Sequence, residues 1–319
     1  GKKWEDMVKG EDKVGDLPFH KEKDGNLSLP YFTPNTSFFM RISILLLSLL
    51  LLSVACKPIK VEQPPASSEK QPLILGEKLT LQADILQEER TLNIYLPVGY
   101  HPDSAKSYPV IYLLDGSEDE DFIHVAGLIQ YGTFPWVNIL PPSILVGIGN
   151  VDRRRDFTYP TTIAQDQKDF PTAGKSEIFI QFLENELQPF IEETYSTSSE
   201  KMLVGQSLAG LLATEVLLKK PDLFSQYVII SPSLWWDNES LLELDSPSLS
   251  MENRSSIPVF VGVGKEGEIM EGDARALVKK LQTFSRTEES THFQYFPDED
   301  HATIFHIALY RAFQWMGKV

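Results

Sequence analysis

Cysteine is almost absent from this chain: Cys56 is the one thiol in 319 residues. That excludes an internal disulfide framework, a paired-thiol redox centre and a thiolate metal cluster, and it leaves one sulfur needing its own explanation. Positive charge is scarce as well. Lys and Arg number 29 against 45 Asp and Glu, giving a net charge of −16, so the basic face that nucleic acid requires is missing. There is no phosphate-cradling glycine loop, no internal repeat and no heptad pattern, and no motif asks for a cofactor or a metal. The longest apolar run, Ile42 to Val54, covers 13 positions, short of the roughly 20 that cross a bilayer comfortably.

What is present describes a globular chain. With 42% hydrophobic and 23% charged residues it can build one large core, and the length allows a single α/β domain or at most two domains. The short apolar run explains the cysteine. "MRISILLLSLLLLSVAC" runs from Met40 through Arg41 and the apolar stretch to small residues and Cys56, which suits the apolar region of an export signal. The segment resembles a bacterial lipoprotein signal (40–55), in which the closing cysteine is lipidated. Residues 1–39 then lie upstream of the start at Met40, and 56–76, rich in Pro, Ser and Lys, read as a flexible tether. The expected location is outside the cytoplasm, lipid-anchored to a bacterial membrane.

From Glu77 to Val319 short apolar runs alternate with longer segments of helical period, the pattern of an α/β fold with a mostly parallel sheet and helices on both faces. Strands are expected at 79–83, 91–96, 110–114, 144–148, 202–204, 227–230, 259–263 and 292–296. The first two are amphipathic and consecutive, so they form an antiparallel edge; the others are nearly continuous apolar runs, as for strands covered on both sides. Helices are expected at 175–195, 208–219, 273–284 and 303–316.

Between one of these strands and the next helix stands "LVGQSLAGLLA" (203–213). A nucleophile elbow needs small residues two before and two after its serine, where the turn brings them against strand and helix, and Gly205 and Ala209 supply them around Ser207. Serine needs a general base and a carboxylate that orients it. Of six histidines, His301 alone lies in a polar turn, "DEDHAT", between the last strand and the last helix. Glu266 and Glu268 both follow the strand at 259–263, and position does not choose between them. For the oxyanion, one N–H is expected from Leu208 and the other from the loop after strand 110–114, near Gly116 or Ser117. The run Arg153-Arg154-Arg155-Asp156 reads either as a solvated loop pairing with carboxylates or, with Trp235 and Trp236 as an apolar wall, as a site for an anionic ester that contacts Arg153.

These stretches, with "TLNIYLPVGY", "YPVIYLLDG", "VGIGNVDRRRDFTYP" and "ISPSLWW", resemble the esterase D-like esterases of the α/β-hydrolase fold over nearly all of 77–319. "SPSLWW" and "RRRDFTYP" look most like bacterial esterases that open ferric trilactone siderophores. The resemblance implies Ser207 as nucleophile, His301 as base and Glu268 as acid, acting on a small-molecule ester through an acyl-enzyme. Feruloyl or acetyl-xylan-type esterases and acyltransferases share the frame. The reading from another class is a ligand-binding surface lipoprotein on a hydrolase scaffold.

Overall fold

The computed structural model describes residues 70–246, 257–284 and 290–317; the expected signal segment, Cys56 and most of the tether lie outside the described residues. Eight strands make one sheet in the order β1-β2-β4-β3-β5-β6-β7-β8. The strands are β1 (Glu77–Ala83), β2 (Glu88–Tyr95), β3 (Tyr108–Leu113), β4 (Ile144–Ile148), β5 (Thr197–Gln206), β6 (Gln226–Ile230), β7 (Val259–Gly264) and β8 (Thr291–Phe296). β1 and β2 are antiparallel to each other and β2 is antiparallel to β4. All remaining pairings are parallel, so every loop leaving β3 to β8 opens on one edge, where ligands bind in open α/β sheets.

The helices are α1 (Phe122–Gly132), α2 (Arg153–Phe157), α3 (Ala164–Asp169), α4 (Ser176–Phe182), α5 (Gln188–Thr194), α6 (Leu208–Lys219), α7 (Ser240–Glu243), α8 (Glu268–Phe284) and α9 (Ile304–Met316). Alternation along the strands sorts the core into two layers. Ile111, Leu113, Val204 and Val228 pack with α1 and α9. Val110, Tyr112, Leu203 and Tyr227 pack with α4, α6 and α8. The helix expected over 175–195 is interrupted: α4 and α5 are joined by a π-helical turn, Leu183–Leu187, where the Gln188 N–H reaches back to Leu183 O. Pro189 follows, without an N–H and with a ring that crowds the carbonyl four residues earlier, so the ladder widens ahead of it.

Helix α6 is mostly apolar, and all residues from Leu208 to Leu218 are buried, including Thr214, whose hydroxyl donates to Gly210 O, and Glu215, which pairs with Lys219. A helix hydrophobic over most of its surface belongs inside, and this one is fixed between the sheet and the surrounding helices directly behind Ser207.

Candidate active site

Ser207 sits at the junction of β5 and α6 with φ 60 and ψ −122, a conformation that L-residues rarely adopt. The neighbouring small residues are required by contact. A Cβ at position 205 would lie 2.4 Å from Ala209 O, and one at 210 would lie 3.0 Å from Pro232 Cα. The turn is then closed by backbone bonds: Ser207 N–H donates to Ile230 O at 3.1 Å, and Leu211 N–H to Ser207 O at 2.9 Å. The Leu208 N–H heads α6, where an amide has no acceptor within the helix.

His301 and Glu266 complete a line. His301 Nε2 is 3.0 Å from Ser207 Oγ, and His301 Nδ1 is 2.6 Å from Glu266 Oε2. Gln206 Nε2 donates to His301 O at 2.6 Å, so the residue before the nucleophile holds the base's backbone. Asp300 Oδ1 accepts the N–H groups of Ala302 and Thr303 and shapes the turn that carries His301. The Glu266 side chain is only 3% exposed. Its Oε1 accepts from Ser231 Oγ at 2.5 Å and from the Gly264 N–H at 2.9 Å. Burial alone would raise its pKa, but the bonds from His301 and Ser231 and the attraction of His301 outweigh it, so the carboxyl is held below its ordinary value. It is therefore a carboxylate at neutral pH, as an orienting acid must be.

Glu268 does not occupy this place. The helix expected from Asp273 begins five residues earlier, with Glu268 as its first residue. Gly267, at φ +88, makes the sharp turn into that helix, and Glu266 is the residue whose carboxylate reaches His301. The second oxyanion expectation also changes. The Gly116 N–H is bonded to Ile148 O at 3.0 Å, and Gly116 packs so closely on β4 that a Cβ would lie 2.4 Å from Gly147 Cα. The Ser117 N–H faces Glu120 Oε2 at 3.2 Å.

The arginine run divides by depth. Arg155 forms ion pairs with Glu88 and Asp156, and the fully buried Arg90 joins the same two carboxylates. Arg153 grips Asp115 with two bonds, Nε to Oδ1 at 2.8 Å and Nη2 to Oδ2 at 2.9 Å, and also donates to Gln206 O at 3.4 Å. It stands beside the end of the nucleophile strand, and its fork, expected to contact an anionic ester, is turned onto a carboxylate of the protein. Arg154 is exposed and lies over the Phe170 ring at 4.8 Å. Trp236 is a core residue, not a wall: it is fully buried, with its indole N–H on Tyr159 O at 2.8 Å. Trp235, half-buried beside Phe170, keeps a surface near Arg154's ring partner.

Ser231, Ser233, Asp115 and Gln206 enter the site unforeseen. The signal was in "SPSLWW", where two serines follow a strand end directly. Asp121, at the start of α1, is pushed up to about 7 by burial and then by the charges of Asp115 and Glu120, with Arg153 opposing. Among the described residues no group of His, Cys, Asp and Glu is disposed to hold a metal ion.

A nucleophile elbow with a base, an acid and a helix-terminal amide is built for acyl transfer, and comparison with known proteins agrees. A family model described as "Putative esterase" matches residues 83–313. The chain belongs to this esterase family. It is 31% identical over 248 residues to the ferri-bacillibactin esterase BesA of Bacillus subtilis (strain 168), covering 72% of this chain and 85% of that protein. Among solved structures it is similar to an IroE-like serine hydrolase from Shewanella oneidensis, with a TM-score of 0.68 and 31% identity over 76% of this chain and 80% of that one. It is also similar to the BES protein from Bacillus cereus, with a TM-score of 0.69 and 28% identity over 78% and 98% of the two chains. The fold is that of the α/β hydrolases, and the protein is an ester hydrolase.

Proposed function

We propose that this esterase opens the ester bonds of siderophores through an acyl-Ser207 intermediate, and that it is exported and held to a membrane by lipid on Cys56. The observation that carries the chemistry is the unbroken line Ser207 Oγ, His301, Glu266, at 3.0 and 2.6 Å, on a strained elbow. His301 Nε2 takes the Ser207 proton as Oγ attacks the ester carbonyl, and Glu266 holds the imidazole through Nδ1. The oxyanion meets the Leu208 N–H. Its second donor is the Asp115 N–H, since the two amides after it are already taken, Gly116 by Ile148 O and Ser117 by Glu120 Oε2, and Asp115, at φ +56, is where the chain leaves the line of β3. Collapse expels the alcohol, which takes the proton from His301, and water repeats the sequence on the acyl-enzyme.

The substrate class is supported by the relative named as a ferri-bacillibactin esterase and by exposed Arg154 and half-buried Trp235, both against Phe170, a cation and a ring suited to an anionic aromatic ligand. The decisive experiment pairs labelling with turnover. The wild-type protein should react with a fluorophosphonate while Ser207→Ala does not, and it should hydrolyse a ferric tris-catecholate trilactone faster than a feruloyl ester. Labelling that survives Ser207→Ala would refute the nucleophile, and preference for the feruloyl ester would move the substrate to plant or cell-wall acyl sugars.

A further inference from the structure

The exit of β6 bears on the nucleophile in a way that the triad does not use. Residues 231 to 233 read Ser-Pro-Ser. Ser231 has φ 42, so the chain leaves the sheet in a left-handed turn that passes directly over the elbow. Ser207 N–H is bonded to Ile230 O, and Ser233 N–H donates to Ser207 O at 3.0 Å. The two strained turns are thus tied together at both ends. This brings the Ser233 hydroxyl, on a residue 2% exposed, to 3.2 Å from Ser207 Oγ. Its oxygen makes no other hydrogen bond among the described residues, so the side chain has this one polar task.

The direction of that bond follows from the rest of the site. Glu266 is a carboxylate and accepts only, so His301 Nδ1 carries the proton and Nε2 is the acceptor. Ser207 has a single hydroxyl proton, and the line of attack requires it on Nε2. The Ser233 contact must then run from the Ser233 O–H to Ser207 Oγ. We propose that Ser233 is a positioning residue for the nucleophile: its hydroxyl donates to Ser207 Oγ, fixing the rotamer that aims the Ser207 proton at His301. The proposal rests on the esterase reading above.

Through the reaction Ser233 keeps its own proton. In acylation the Ser207 O–H bond breaks and its proton passes to His301 Nε2, while the Oγ–carbonyl carbon bond forms and the carbonyl π pair moves onto oxygen. Negative charge builds on Oγ during attack and again when Oγ departs from the acyl-enzyme, so a fixed donor on Oγ assists both halves. A hydrogen bond to a charging group is worth roughly a ten- to hundredfold factor.

The test compares wild type, Ser233→Ala, Ser233→Cys and Ser207→Ala for p-nitrophenyl butyrate turnover and for the second-order rate of fluorophosphonate inactivation. Ser233→Ala keeps the backbone bond to Ser207 O and should lose roughly ten- to a hundredfold in both rates, with KM little changed and an unaltered melting temperature. Ser233→Cys, with a weak S–H donor of similar size, should fall between the two and keeps the test open should the alanine variant fold poorly. A residue of purely structural weight would move the melting temperature and not the inactivation rate. Ser233→Ala reacting at the wild-type rate, while Ser207→Ala is inert, would overturn the proposal and leave the esterase reading standing, as would a loss confined to KM. A wild-type protein that the fluorophosphonate does not label would overturn both.

Discussion

Replacing Glu266 by glutamine changes one atom in a carboxylate that accepts from three directions, and the geometry sets the consequence. Oε2 faces His301 Nδ1, while Oε1 faces the Ser231 hydroxyl and the Gly264 N–H. An amide has one oxygen to offer. If its NH2 takes the Oε2 place, it donates to Nδ1, the imidazole shifts its proton to Nε2, and two donors confront each other at Ser207. If its NH2 takes the Oε1 place, it meets the Gly264 N–H, which cannot rotate away, and a buried donor is left unmatched. The first orientation removes the productive tautomer, and the second keeps it only with that buried donor unmatched. When the acid of a Ser-His-Asp triad becomes an amide, kcat drops on the order of 10⁴-fold, or about 5.5 kcal/mol at about 1.4 kcal/mol per tenfold, and Glu266→Gln should approach that. Glu268→Gln is the matched control. It removes a charge from the first turn of α8, worth about 0.3–1 kcal/mol of stability through the helix dipole, and should leave kcat close to wild type. Both variants are to be assayed on p-nitrophenyl butyrate with active sites counted by titration and melting temperatures measured alongside. A loss of less than about tenfold for Glu266→Gln, or a larger loss for Glu268→Gln, would refute the assignment.

Three further outcomes are expected. Asp273, 5% exposed on α8, is pushed up to about 7 by burial and then by Glu239; the folded state therefore holds a proton that the unfolded chain gives up near pH 4, and stability falls as pH rises from there to 7. About three pH units at about 1.4 kcal/mol each cap the effect near 4 kcal/mol, so Asp273→Asn should unfold at higher denaturant than wild type at pH 8 and match it near pH 4, and equal midpoints at pH 8 would count against the shift. Arg153→Ala uncovers the Asp115 carboxylate, 13% exposed, beside the proposed oxyanion donor; it should lower kcat on a neutral p-nitrophenyl ester, with part regained in Arg153→Ala/Asp115→Asn, whereas a loss confined to anionic esters would return Arg153 to direct substrate contact. Cys56→Ser should release exported protein from the membrane fraction, and a variant that stays bound through a carbonate wash would contradict lipidation there.

The parallel core was legible because β3, β4, β6, β7 and the second half of β5 are buried and read as apolar runs, and the order Ser, acid, His followed from which strand ends carried which residues. Helix α1 escaped notice: "FIHVAGLIQYG" is short and its first residue lacks a side-chain cap from Asp121, so no start signal accompanied it. The error at Glu268 has a single cause. Gly272 interrupts the helical pattern and suggests a start after it, whereas the chain turns at Gly267 and tolerates Gly272 inside the helix, at a cost of about 1 kcal/mol against alanine. That the Gly116 N–H is taken up by β4 was beyond the sequence, because one positive φ, at Asp115, decides where the next N–H groups point. Neighbouring tryptophans part ways for a similar reason: Trp236 turns inward to bond Tyr159 O and Trp235 stays at the rim.

The positive-φ residues around the site explain why so much buried apolar surface lies directly behind it. Ser207 and Ser231 each hold a backbone conformation that costs on the order of 1–3 kcal/mol, and Asp115 adds a third turn of that kind. Such geometry persists only where packing over-determines it. Helix α6 supplies that packing: Leu211, Leu212, Val216, Leu217 and Leu218 are all buried, and full burial of a side chain of this size contributes about 1.5–3 kcal/mol. That outweighs the strain of the elbow from which the helix starts. The same logic accounts for Gly205 and Gly210, where the strand and the neighbouring loop press against the turn. A nucleophile on a relaxed loop would need none of this. Here the sequence commits a buried, mostly apolar helix, two glycines and a Ser-Pro-Ser turn to holding one hydroxyl in place, so the aim of Ser207 Oγ at His301 is fixed before any ester arrives.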